Sequence, residues 1–127
     1  MTVRNLFVVD ALLGISLGAS LLGVPVLVLL PFGIEADQVR VFLARMFGAS
    51  LIGHGLLLWL TRAANAVTVR SIVRAHLCFD VIAGVVSAMA TLSGLVNAFG
   101  WTVAGLFAVL AVLRFYFGVI QRLPNAA

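Results

Sequence analysis

Residues 6–30 read LFVVDALLGISLGASLLGVPVLVLL, an apolar run interrupted by one charge, Asp10. It is longer than the roughly 20 residues that carry an α-helix across about 30 Å of hydrocarbon. Three similar runs occupy residues 39–61, 71–92 and 98–121. Helices rather than strands are expected, because each run must satisfy its own backbone N–H and C=O groups where no water reaches. Composition agrees: 64% of the 127 residues are hydrophobic and 9% are charged, with a mean hydropathy of +1.24. An average soluble domain carries about 25% charged residues, so a water-soluble fold of this size could not cover itself. A soluble enzyme domain, a nucleic-acid reader and a disordered tail are excluded. The expected fold is all-α: one transmembrane domain over residues 1–127, an integral-membrane four-helix bundle with sequential spans antiparallel. The spans are placed at 5–30, 39–61, 71–92 and 98–121, the first closed by Pro31 and Gly33.

Arg4 ahead of an apolar run has the look of a secretory signal. The run is too long for a signal core, contains Asp10 and lacks a clean cleavage site, so it is expected to stay as the first span. The net charge of +4 comes from eight arginines against four acids. With four spans, one side carries Arg4, Arg62, Arg70, Arg74 and Arg122, and the other sets Arg40 against Glu35 and Asp37. That asymmetry predicts both termini in the cytoplasm of a bacterial inner membrane, with lipids and no nucleic acid as surroundings. Trp59, Trp101, Tyr116 and Phe117 fall toward span ends, where amphipathic aromatics gather.

Lipid offers helices no hydrophobic drive to associate, so small residues that let backbones approach take over that role. The four-residue pairs are Gly14 with Gly18, Ala19 with Gly23, Ala49 with Gly53, Gly84 with Ala88, and Ala104 with Ala108; Gly48 and Gly55 stand alongside Gly53. Plain helix packing, at Gly14, Gly18, Gly53, Gly84 and Ala88 above all, is their ordinary reading.

An ionisable group inside a span costs about 2.5–3.5 kcal/mol on insertion scales, so each needs a partner or a use. Asp10, His54, His76, Asp80 and Arg114 all fall in the same, cytoplasmic half of their spans. His76 and Asp80 are four apart and share a helix face, within reach of a hydrogen bond. The simplest cluster has Arg114 pairing with Asp80, Asp10 or both, since an Arg fork can serve two carboxylates. Such a network would fix helix order and register; the sharper alternative is a site in that Asp-His-Arg cluster for a quinone, a lipid head group or a proton. Arg45 stands apart near the opposite end of span two, as an anchor that snorkels to Glu35, Asp37 or lipid phosphate.

His54 lies among Ser50, Gly53 and Gly55, and small neighbours leave room for a flat tetrapyrrole. The string Ser50-Leu-Ile-Gly-His54 resembles the small-x-x-x-His sites of light-harvesting helices, which implies haem or bacteriochlorophyll on His54; a helix–helix hydrogen bond is its bland reading. No cofactor is firmly implied, and Cys78 in its apolar run reads as inert packing. There is no Ser elbow, phosphate loop or metal-spaced His pair, so no enzyme and no metal site are expected.

The strings Arg45-Met-Phe-Gly48-Ala-Ser-Leu-Ile-Gly53 and Ser93-Gly-Leu-Val-Asn97-Ala-Phe-Gly100-Trp101 resemble the small four-helix bacterial membrane proteins grouped as DoxX-like. That resemblance implies a partner or accessory subunit of a membrane redox system. Together the readings favour a non-catalytic accessory subunit that docks on a larger redox or photosynthetic membrane complex or forms a homo-oligomer.

Overall fold

The structure is a computed structural model that describes residues 3–120. Gln121 and Arg122, which bear on the end of span four and on orientation, lie outside the described residues. Five α-helices occur in order: α1 (Val3–Gly23), α2 (Pro25–Leu29), α3 (Gln38–Thr61), α4 (Ala66–Leu92) and α5 (Gly100–Phe115). A 3-10 turn at Leu30–Phe32 succeeds α2, and a π-helical turn at Tyr116–Ile120 succeeds α5. Four stretches are long and apolar enough to cross a membrane: Val3–Gly23, Gln38–Thr61, Ala66–Leu92 and Gly100–Gly118. No strand occurs among the described residues. The chain forms two compact units, Met1–Ala63 and Ala64–Ala127. Each contains one antiparallel helical hairpin.

Three boundaries differ from expectation, each for a local reason. Span one does not continue as a single helix to Leu30. It breaks at Val24, whose backbone leaves the helical region at φ −133° and ψ 54°. Pro25 has no N–H to offer the carbonyl of Leu21, and its ring pushes the preceding residue toward extended conformations. The short α2 then restarts with that proline at its first turn, where the missing N–H is harmless. α4 begins five residues before the expected Ser71, because the Asn65 side chain caps it by accepting from the Thr68 N–H at 2.9 Å. α5 begins at Gly100 rather than Ala98, after an Asn97 turn in which Oδ1 accepts from the Phe99 N–H. α3 matches its expected span closely; Asp37 caps it by accepting from the Arg40 N–H at 2.7 Å.

In the first hairpin the backbones of α1 and α3 nearly touch. A Cβ built on Gly18 would lie 2.6 Å from the Gly48 carbonyl oxygen, and one on Gly48 would lie 2.7 Å from that of Gly18. A Cβ on Gly55 would lie 2.8 Å from the Ala11 oxygen. The contact therefore runs on a seven-residue repeat, Ala11 and Gly18 against Gly48 and Gly55. Seven is the seam repeat of left-handed helix pairs. Gly14 joins this seam more loosely, 3.2 Å from the Leu51 oxygen by the same measure. Gly53 takes no part in it: it is exposed, and nothing lies within 4 Å of where its Cβ would stand. The expectation that Gly53 packs this pair gives way to Gly48 and Gly55, whose spacing points them at α1.

The second hairpin is wider at its middle. Phe79 and Phe107 meet edge to face at 5.9 Å, and a Cβ on Gly84 would be in ordinary contact with Phe107 at 3.5 Å. Toward the ends the helices converge, with the Gly118 backbone against Val73 and Gly100 seated on Thr91 and Val96. Gly94, at φ 74°, closes α4 in the left-handed conformation, and the N–H of Leu95 returns to the Ala90 carbonyl.

Gly18→Ala is expected to destabilise the protein by about 1–3 kcal/mol, since backbone must shift to admit the methyl. Gly53→Ala should leave stability within about 0.5 kcal/mol or raise it. Thermal unfolding of both variants in mild detergent checks the contrast.

Candidate functional site

Most hydroxyls of the spans donate to carbonyls of their own helices. Ser20 donates to the Ser16 carbonyl, Ser50 to Met46, Ser71 to Val67 and Thr91 to Ser87, all at four-residue separation. The costly polar chemistry is therefore concentrated in the ionisable groups.

In the second hairpin the Arg114 guanidinium donates to Asp80 Oδ2 and, at 3.3 Å, to the backbone carbonyl oxygen of His76. Asp80 is 1% exposed and Arg114 3%. This geometry joins Asp80 to Arg114, as the sequence allows. The reason lies in side-chain direction. Every Cα–Cβ bond of a helix tilts toward its N-terminus. On antiparallel helices Arg114 therefore leans toward the middle of α5 while Asp80 leans toward the start of α4, and their tips converge. Arg114 also stands in the last turn of α5, where a cation complements the helix dipole.

His76 is buried one turn before Asp80 on α4. Its Nδ1 lies 2.9 Å from the Ile72 carbonyl oxygen, so in the tautomer that uses this contact the ring donates back along its own helix. The structure thus brings His76, Asp80 and Arg114 together as the sequence suggests. Asp10 is also buried, on α1 of the first hairpin. His54 is half-buried on α3. The room expected around it is only partly there: the Gly55 side is filled by Ala11 and Ile15, and the Gly53 side is open. His54 and His76 belong to different hairpins. Among the described residues no group of three or more His, Cys, Asp or Glu side chains is placed to hold a metal ion.

Beside the ion pair a shallow furrow runs between α4 and α5. Gly84 and Ala88 line it from one helix, Ala104, Ala108 and Ala111 from the other, and Asp80 borders its end. The small residues the sequence assigns to packing here line this furrow from both helices. Arg45 is exposed on α3, with Ala44 and Gly48 beside it turned inward.

Sequence reasoning named Gly48 and Gly55 only alongside Gly53 and missed Ala11 and the seven-residue register that puts them in closest backbone contact. Searching for small residues at seven-residue spacing would have found them. It also missed Gly118, whose close approach to Val73 lies in the π-helical turn and has no marker beyond the glycine itself.

Comparison with protein-family models, curated proteins and solved structures finds no match.

Asp80→Ala is expected to cost about 3–5 kcal/mol, because it breaks a buried ion pair by removing one partner. The double variant Asp80→Leu/Arg114→Leu should recover most of that loss, since a packed apolar pair can replace a buried ion pair. Melting curves of the single and double variants in one detergent test the coupling.

Proposed function

We propose that the chain is a non-catalytic subunit of a bacterial inner membrane, with both termini cytoplasmic, that docks laterally on a larger membrane assembly. The observation that supports this is the furrow of Gly84, Ala88, Ala104, Ala108 and Ala111. Small residues lining a furrow are what a further transmembrane helix needs in order to approach closely. The Asp80–Arg114 pair fits the same reading, because each charge answers the other and holds the two furrow walls together. The DoxX-like strings at residues 45–53 and 93–101 point to a redox system as the host, and a homo-oligomer uses the same furrow. The inward orientation rests on Arg62, Arg70 and Arg74, which cluster in sequence where the first hairpin passes into the second.

A second reading has one observation in its favour. Asp80 borders the furrow, so a quinone or lipid tail lying along the alanines would place its polar head beside the ion pair. Under that reading Asp80→Asn abolishes the host's activity while the protein's amount in the membrane stays unchanged. Haem or bacteriochlorophyll on His54, open on its Gly53 side, is a third reading and would show as visible absorbance lost in His54→Leu.

Extraction of the tagged protein from its native membranes in mild detergent is expected to give a heavy assembly with stoichiometric partners. Ala104→Leu, which fills the furrow, should release the chain from that assembly without lowering its melting point. A wild-type chain that elutes as a free monomer overturns the proposal.

A further inference from the structure

Arg45 is a charge in a span that the hairpin does not answer. α3 has 24 residues, about 36 Å at 1.5 Å per residue, against about 30 Å of hydrocarbon. At its Thr61 end Arg62 lies over the Trp59 ring, 4.1 Å from its centroid, an aromatic-cation pair suited to an interface. Counting about 20 residues back from Thr61 places the opposite hydrocarbon boundary near Phe42. Arg45 lies inside it by about 5 Å. A guanidinium at that depth needs an anion or a route to the interface.

The acids nearest in sequence are already engaged. Arg40 approaches Asp37 Oδ2 at 3.4 Å and Glu35 Oε2 at 3.9 Å, and it donates to the Glu35 carbonyl oxygen at 2.9 Å. Arg45 makes no hydrogen bond or ion pair among the described residues, and it is exposed. Its helix points it the right way. Side chains lean toward the helix N-terminus, which for Arg45 is the nearer headgroup layer, and its aliphatic stem can snorkel over the remaining distance. One and two turns below it on the same face stand Ala49 and Gly53, both exposed, with nothing within 4 Å of where Gly53 would carry a Cβ.

We propose that Arg45 holds the phosphate of a membrane phospholipid whose acyl chain lies along Ala49 and Gly53. A guanidinium fork matches two phosphate oxygens at once. The small residues leave a strip in which a chain can lie against the helix backbone. The inference concerns the first hairpin and does not depend on what occupies the furrow of the second.

The test uses the full-length protein in dodecyl maltoside, a detergent without phosphate, with native mass spectrometry as the readout. The probes are dioleoyl phosphatidylglycerol, dioleoylglycerol and inorganic phosphate. Wild type should retain phosphatidylglycerol at least about tenfold more tightly than Arg45→Gln, the loss expected for a charge-assisted hydrogen bond. Arg45→Lys should fall between them, and Arg40→Gln should match wild type. Gly53→Leu, which keeps the charge and blocks the strip, should also weaken retention. Dioleoylglycerol, which has the same chains without phosphate, should not be retained, and inorganic phosphate should not compete at millimolar concentration. Equal retention by Arg45→Gln and wild type overturns the proposal. So does retention of dioleoylglycerol as strong as that of phosphatidylglycerol, displacement by free phosphate, or a wild-type dimer that Arg45→Gln abolishes, which would assign the anion to a second copy.

Discussion

Two apolar helices gain nothing from leaving a solvent as apolar as themselves, and this constraint shapes both hairpins. Each needs a source of attraction other than the hydrophobic effect, and the two hairpins use different ones. α1 and α3 rely on proximity: Ala11, Gly18, Gly48 and Gly55 bring main chain against main chain, where dispersion contacts are densest. α4 and α5 meet instead through Phe79 against Phe107, through the Gly100 and Gly118 ends, and through the buried pair of Asp80 with Arg114. Most seryl and threonyl hydroxyls contribute to neither, donating to carbonyls of their own helices.

The difference has a functional side. A hairpin joined by backbone contact has no space left in its seam. A hairpin joined at one buried ion pair and at its tapered ends can leave a furrow between those points, and this one does. Open surface and packing surface thus fall differently in the two hairpins. In the first, a strip of small exposed residues lies on α3, at Ala49 and Gly53 beside Arg45. In the second, the open surface lies along the seam itself.

Much of this is legible in the sequence, and the remainder is hidden for identifiable causes. The four spans emerge from run length, because hydrocarbon thickness sets a sharp threshold. The polar triad of His76, Asp80 and Arg114 emerges from the cost of burying charge. Bringing Asp80 onto Arg114 requires the register of α4 against α5 and the tilt of the side chains, which spacing alone does not supply. A four-residue template assigns Gly53 to packing, whereas the operative repeat is seven. Treating Arg70 as the edge of a span sets the start of α4 too late. A helix of 27 residues is about 40 Å long, about 10 Å more than the hydrocarbon needs, which is room for its first two turns and Arg70 to stand outside it. Pro25 is inconspicuous inside an otherwise uniform run, since hydropathy does not register a missing N–H.

That proline has a consequence for the membrane around the protein. The 21 residues of α1 measure about 31 Å, already the thickness of an average hydrocarbon layer. Beyond the break at Val24 the chain adds an apolar coda, Pro25–Phe32, joined through a single non-helical residue. A rigid rod of the full length could meet a thinner bilayer only by tilting or by deforming the lipid. A jointed one can meet it by changing the angle at Val24, leaving α1 in its seam with α3. The break at Val24 thus ends the seam-forming helix at about one hydrocarbon thickness and gives the apolar residues that follow a direction of their own.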